Sequence, residues 1–204
     1  MFLRCLAASL LLVLSTSAHN PTYRAASTQE GIPADEYPEM VRIDCLIGVG
    51  SGFMVGPRIG ISANHVTSLQ GCFIGGKPFK VVSHVGDFSI FEAPEDVSKW
   101  LTIDCGGYEA HKRYEALGFA RGLDTLTEVD LHATGQSAHV QPNGGTDDVM
   151  AILEGVWTVI PGQSGGAVLD PDTHKVVGVV NTYDMEGGLS GSVELKRTSV
   201  CRNA

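Results

Sequence analysis

The 204-residue sequence has no run of Lys or Arg, no C-x-x-C pair and no H-E-x-x-H. Beyond its N-terminal segment it has no second long apolar run. Each absence excludes something. Without a basic patch, nucleic acid is not an expected partner, and the formal net charge of −9 points the same way. Without paired ligand spacings, neither a structural zinc site nor a helical metallohydrolase site is expected, and no metal or cofactor is assigned. Without a second long apolar run, the mature chain should carry no stable membrane span. No internal repeat and no convincing long amphipathic helix is visible; a short helix is expected at most over 94–101.

What is present is a globular composition, 43% hydrophobic and 18% charged, with 25 glycines punctuating short apolar stretches. That texture means strands joined by tight turns, hence an all-β barrel or sandwich. Arg4 precedes the apolar run Leu6–Leu14, and small residues follow up to Ala18. This is the pattern of a secretory signal peptide over 1–18, so export to the secretory lumen or beyond is expected. Residues 19–39 carry Pro21, Pro33 and a polar stretch, and read as an extended arm or propeptide, with folded structure starting near Met40. Strands are expected at 41–49, 53–55, 59–62, 79–85 and 87–93, a connection at about 94–108, and strands again from Tyr114 onward. A Pro142–Gly145 turn separates two of these later strands. Four cysteines remain after the signal, Cys45, Cys72, Cys105 and Cys201, which in an exported chain means two disulfides with three possible pairings.

Three local patterns carry chemistry. In Pro161-Gly162-Gln163-Ser164-Gly165-Gly166 a serine is flanked by glycines. A serine hydroxyl needs a base to take its proton and donors to hold the oxyanion it creates. Flexible flanks let backbone N–H groups, here those of Gly162 and Ser164, reach that oxyanion. His65 ends an apolar strand among small residues (Ser62-Ala63-Asn64-His65-Val66), where a base can project into a cleft. Asp87 opens the apolar stretch Phe88-Ser89-Ile90-Phe91, where a partly buried carboxylate can accept an imidazole N–H. His84 lies close to Asp87 as a rival base, and Asp104 is the alternative acid, without an apolar strand after it.

Taken in register, Gly50-Ser51-Gly52-Phe53, Ser62-Ala63-Asn64-His65-Val66, Asp87-Phe88-Ser89-Ile90 and the Ser164 motif resemble the chymotrypsin-like serine peptidases. The nearest look is that of HtrA-like bacterial and compact RNA-virus members. Over residues 40–200 the resemblance implies two antiparallel six-stranded β-barrels with the active site between them. The first barrel would span 40–100, a linker 101–112, the second barrel 113–200 and a tail 201–204. It implies an endopeptidase acting on polypeptides, with His65, Asp87 and Ser164 as the triad. Thr158, Val180, Asn181 and Thr182 would line the substrate pocket, giving a small or polar P1 preference, with Asp184 and Glu186 at the rim. The fold would bring Cys45 to Cys72 and Cys105 to Cys201. The sequence departs from digestive members in three ways. His65 and Asp87 are close in sequence, there is no Ile-Val-Gly-Gly-like start, and Gln163 precedes the serine where those members carry aspartate. Gln163 cannot pair with a new N-terminal amine, so no zymogen switch of that kind is expected. The chain is expected to be a peptidase core without a PDZ-like region. Two other readings remain. A catalytically silent binding protein of the same fold is one. An α/β-hydrolase esterase is disfavoured, because that fold needs Ser, acid and His in this order and a helix after the serine.

Overall fold

The computed structural model describes residues 28–140, 148–184 and 189–202. The signal segment, the first part of the arm, the Pro142–Gly145 turn and Glu186 lie outside the described residues. Among the described residues fourteen strands form two sheets. The first runs through β2 (Met40–Cys45), β3 (Gly48–Met54), β4 (Ile59–Ala63), β5 (Phe73–Ile74), β6 (Lys77–Pro78), β7 (Lys80–Val85) and β8 (Phe88–Glu92). Its spatial order is β6-β5-β2-β3-β4-β8-β7, a sheet curled into a half-barrel. The second contains β9 (Arg113–Gly118), β10 (Leu126–Val140), β11 (Asp148–Glu154), β12 (Ala167–Asp170), β13 (Lys175–Asp184) and β14 (Leu189–Glu194). These six close on themselves through a β9–β10 pairing. The fold is thus all-β and chymotrypsin-like, and among the described residues helix is confined to short turns, including α1 (Asn64–Thr67) and α2 (Ser199–Arg202).

Strand alternation builds the core. In β10, Val129, Leu131 and Ala133 face into the second barrel and pack with Tyr114, Ala116, Leu153, Val168 and Val177. Side chains on the opposite faces, such as Leu126, Leu117 and Leu169, join Phe53, Ile61 and Phe88 of the first sheet in a shared interface core. Period-two alternation thus gives each barrel its own filling and leaves a second apolar face to glue the sheets together.

Three expectations change. The apolar stretch 41–49 is not one strand but a hairpin, turning at the exposed Leu46-Ile47, with Gly50–Gly52 inside β3. An apolar turn gives no glycine or proline signal, and the Cys45–Cys72 disulfide beside it supplies the anchor instead. Residues 94–101 form no helix. Val97 and Leu101 donate their N–H groups to Pro57 and Met54, so this backbone lies along the β3–β4 connection. The arm is not free before Met40. β1 (Thr28–Ile32) pairs antiparallel with β10, and Ile32 is buried in the interface core. The cysteines pair as the resemblance implied, Cys45 with Cys72 and Cys105 with Cys201. Among the described residues no helix is long and apolar enough to cross a membrane.

Candidate functional site

β4 and β8 are antiparallel neighbours, with Ala63 opposite Phe88. The end of one therefore meets the start of the other. The chain leaving β4 turns at once into α1, which carries His65; the β7–β8 hairpin turns at Gly86-Asp87. Asp87 is buried and closes the start of α1: its carbonyl accepts from Asn64 N–H at 3.0 Å, and its Oδ1 from His65 N–H at 2.7 Å. Its Oδ2 lies 2.6 Å from His65 Nδ1. The imidazole remains partly open, its side chain 22% exposed. Thr67 Oγ1 donates to the buried Ser89 Oγ at 2.9 Å and ties α1 to β8.

Ser164 sits between β11 and β12 in a stretch of turns. The loop is fixed peptide by peptide. Pro161 C=O accepts from Arg121 N–H at 2.8 Å, Gly162 C=O from Ser51 Oγ at 2.8 Å, and Gln163 C=O from Gly166 N–H at 2.8 Å. Ser164 C=O accepts from Ser51 N–H at 2.8 Å. A trans peptide points its N–H opposite its C=O. With the Pro161 and Gln163 carbonyls tied, the N–H groups of Gly162 and Ser164 point away from Arg121 and Gly166 respectively, and among the described residues neither N–H has a hydrogen-bond partner. Glycine is required here. Gly162 has φ +97°, and a Cβ on it would stand 2.4 Å from Phe119 O. Gly165 has φ +85°, and its Cβ would stand 2.1 Å from Ser51 O and 2.2 Å from Ser62 Oγ.

Asn181 joins the two halves. Expected in the substrate pocket, it is 3% exposed; its Nδ2 donates to Asp87 Oδ2, and its backbone carbonyl accepts from Ser164 Oγ at 3.3 Å. Of the other pocket residues, Thr158 is half-buried on the segment leading to Pro161. Val180 points into the second-barrel core, and its backbone is engaged with Gly165 and Gly166. Thr182 continues β13, and its side chain, like that of Asp184, lies outside the described residues. His84 is exposed on β7, and Asp104 caps Gly106 N–H in the inter-barrel connection, so neither joins this group. In the sequence Ser51 had no role beyond its place in the Gly50-Ser51-Gly52-Phe53 motif, and nothing marked the Asp87 contact of Asn181. The available signal was a polar residue inside an otherwise apolar, buried strand, which needs a partner wherever it occurs.

The acidic trio Glu115, Glu128 and Asp130 is the one group among the described residues with metal-ligand proximity. Arg113 pairs with Glu115 and Asp130, which accounts for the cluster without an ion.

No family model and no curated protein matches the chain. Solved structures do. The active form of the Rv3671c protease from M. tuberculosis is 21% identical, with 79% of this chain and 78% of that one covered and a TM-score of 0.66. A Glu endopeptidase bound to MPD is 14% identical, with 87% and 94% covered and a TM-score of 0.63. The HtrA-type protease AlgW with a tripeptide is 17% identical, with 78% and 57% covered and a TM-score of 0.59. At these identities the likeness establishes the fold.

Proposed function

We propose that this chain, built on the chymotrypsin-like fold, is an exported serine endopeptidase with Ser164 as nucleophile. The observation that carries the reading is a single constellation. A buried carboxylate is bonded to His65 Nδ1 at 2.6 Å, and a glycine-flanked serine is linked to that carboxylate through Asn181. Two neighbouring backbone N–H groups beside the serine are unclaimed among the described residues. That all the named structural neighbours are called proteases or endopeptidases supports it.

With Nδ1–H donated to Asp87, the neutral imidazole keeps its acceptor on Nε2. The long bond from Ser164 Oγ to Asn181 carbonyl is readily given up. Rotation about Cα–Cβ then presents the hydroxyl to His65. Oγ attacks the scissile carbonyl as Nε2 takes its proton, and the oxyanion settles on the N–H groups of Gly162 and Ser164. Asp87 stabilises the imidazolium, which then protonates the leaving amine. Water, activated by the same histidine, hydrolyses the acyl-enzyme. Because Asn181 is committed to Asp87, Thr158 is left to supply polarity to the P1 pocket, which favours small or polar P1 residues. Two disulfides suit export with loss of 1–18. Barrel boundaries at 40–100 and 113–200 suit the two sheets.

A fluorophosphonate probe applied to the parent, Ser164→Ala and His65→Ala tests this. Labelling of the parent alone is the expected result. A folded parent that stays unlabelled would sink the peptidase reading and leave a silent binding protein of the same fold.

A further inference from the structure

Ser51 occupies an unusual place for a residue with no step in the chemistry. It is fully buried in β3, on the first sheet, yet three of its polar atoms hold the site together. Its N–H donates to Ser164 carbonyl at 2.8 Å, and its Oγ donates to Gly162 carbonyl and accepts from Phe119 N–H, both at 2.8 Å. Its own carbonyl takes Ser62 Oγ at 2.7 Å. The hydroxyl is therefore used as donor and acceptor at once, between the serine loop and the end of β9.

Gln163 does the matching work from inside the second barrel. Its side chain is fully buried and both ends of the amide are used. Oε1 accepts from Ile160 N–H at 2.9 Å, and Nε2 donates to Thr127 carbonyl in β10 at 2.9 Å. The Gln163 backbone N–H returns to Ile160 carbonyl at 3.1 Å, so the loop is closed on itself and pinned to the barrel wall by one residue. Thr127 is itself held in a ladder, opposite Gly118 of β9 on one side and Glu30 of β1 on the other. Every one of these Ser51 and Gln163 bonds joins uncharged groups, and the Arg121 backbone N–H adds a further bond to the Pro161 carbonyl.

We propose that Ser51 and Gln163 are positioning residues that form a charge-free clamp on the oxyanion loop. The N–H groups of Gly162 and Ser164 are then held in place without an ionic partner and without a freshly cut N-terminus. This rests on the peptidase reading for its catalytic consequence, but the clamp itself is a statement about loop order. A neutral amide and a hydroxyl suffice here because each buried polar atom has its partner, and losing either partner strands a carbonyl or N–H of the loop itself.

The test uses the full secreted chain with Ser51→Ala and the volume-conserving Gln163→Met. Three things are measured: kcat and KM on a peptide amide, the affinity of a peptide boronate, and backbone amide exchange. The boronate forms a tetrahedral adduct on the serine and places an oxygen against the Gly162 and Ser164 N–H groups. Each variant should lose about 10- to 100-fold in kcat, since it misplaces rather than deletes a donor. KM should stay within about twofold, and boronate affinity should fall in step with kcat. Exchange of the Gln163 and Gly166 amides should quicken while β12 amides keep their protection. A merely structural role would lower the melting temperature and global protection without the kcat and boronate loss in the folded fraction. If Gln163→Met does not fold, Ser51→Ala decides alone. Folded variants with kcat and boronate affinity within twofold of the parent overturn the proposal. Should the parent itself neither hydrolyse peptides nor take the fluorophosphonate, the peptidase reading has failed. The clamp is then judged by exchange alone, and unchanged Gln163 and Gly166 protection in both variants overturns it.

Discussion

His65 and Asp87 reach each other through one antiparallel register, Ala63 opposite Phe88, and a single turn of helix whose first N–H groups rest on Asp87. Ser164 and its neighbours depend on contacts scattered through the chain: Ser51 from the first sheet, Arg121 after β9, Thr127 in β10 and Val180 in β13. The first half of the site is thus a property of two neighbouring strands, and the second a property of the assembled molecule. A local ladder tolerates change elsewhere in the fold. A loop held from four elements transmits changes from all of them.

The largest expected effect breaks the local half. Asp87→Asn should leave the fold and the oxyanion loop in place but remove the acceptor for His65 Nδ1–H. The imidazole then takes the wrong tautomer, and kcat should fall about 10⁴-fold. Probe labelling rates measured beside Ser164→Ala give the comparison, and a loss under tenfold would mean another acid serves His65.

The next effect loads the assembled half from a distance. Ile32 buries its side chain between the sheets, at the end of a strand laid against β10. Ile32→Ala should cost about 2–5 kcal/mol in denaturant unfolding. If the arm were instead a removable propeptide, trimming the chain to residue 38 would raise activity; an integral strand predicts loss of stability on the same trimming.

The smallest effect is the response to acid, and it distinguishes the barrels by charge. Burial raises the Asp170 carboxyl, but Lys112 at 3.0 Å and the Asp172 N–H outweigh it, leaving the group below the ordinary carboxylate range. Burial likewise raises Glu194, but Lys196, Arg197 and the Tyr108 N–H bring it below that range. A carboxyl depressed in the folded state stabilises above its unfolded pKa, and that contribution is lost as pH falls through the folded value. Glu128 works the other way: burial and the charges of Glu115 and Asp130 raise it, so the folded chain gains there as Glu128 takes up a proton on acidification. All three lie in the second barrel. Below about pH 4, amide protection should fall first in β12 and β14 and later in β4 and β8, and Lys112→Met should narrow that gap. Simultaneous loss in both sheets would show the barrels melting as one unit.

How much of this was legible in the residues follows the same division. The glycine-flanked serine, the strand-end histidine and the acid before an apolar strand are local patterns, and all three could be read from sequence. Local hydrogen-bonding needs left a trace in each. The β2–β3 hairpin was not legible, because Leu46-Ile47 carries no turn chemistry and a disulfide does the work. β1 was not legible either, because a polar segment becomes a strand only when an edge such as β10 is there to receive it.

Asn181 shows the same limit within the site. As a residue type it suggested a polar pocket wall, but burial beside Asp87 turned its amide inward to the carboxylate. By itself, then, the sequence determined the strand-rich class and marked the three side chains proposed as the triad, since periodicity and flanking glycines act over a few residues. Only the tertiary structure decided how Ser51, Gln163 and Asn181 are used. Their partners lie far away along the chain, and a buried polar group takes its role from whichever partner the fold brings to it.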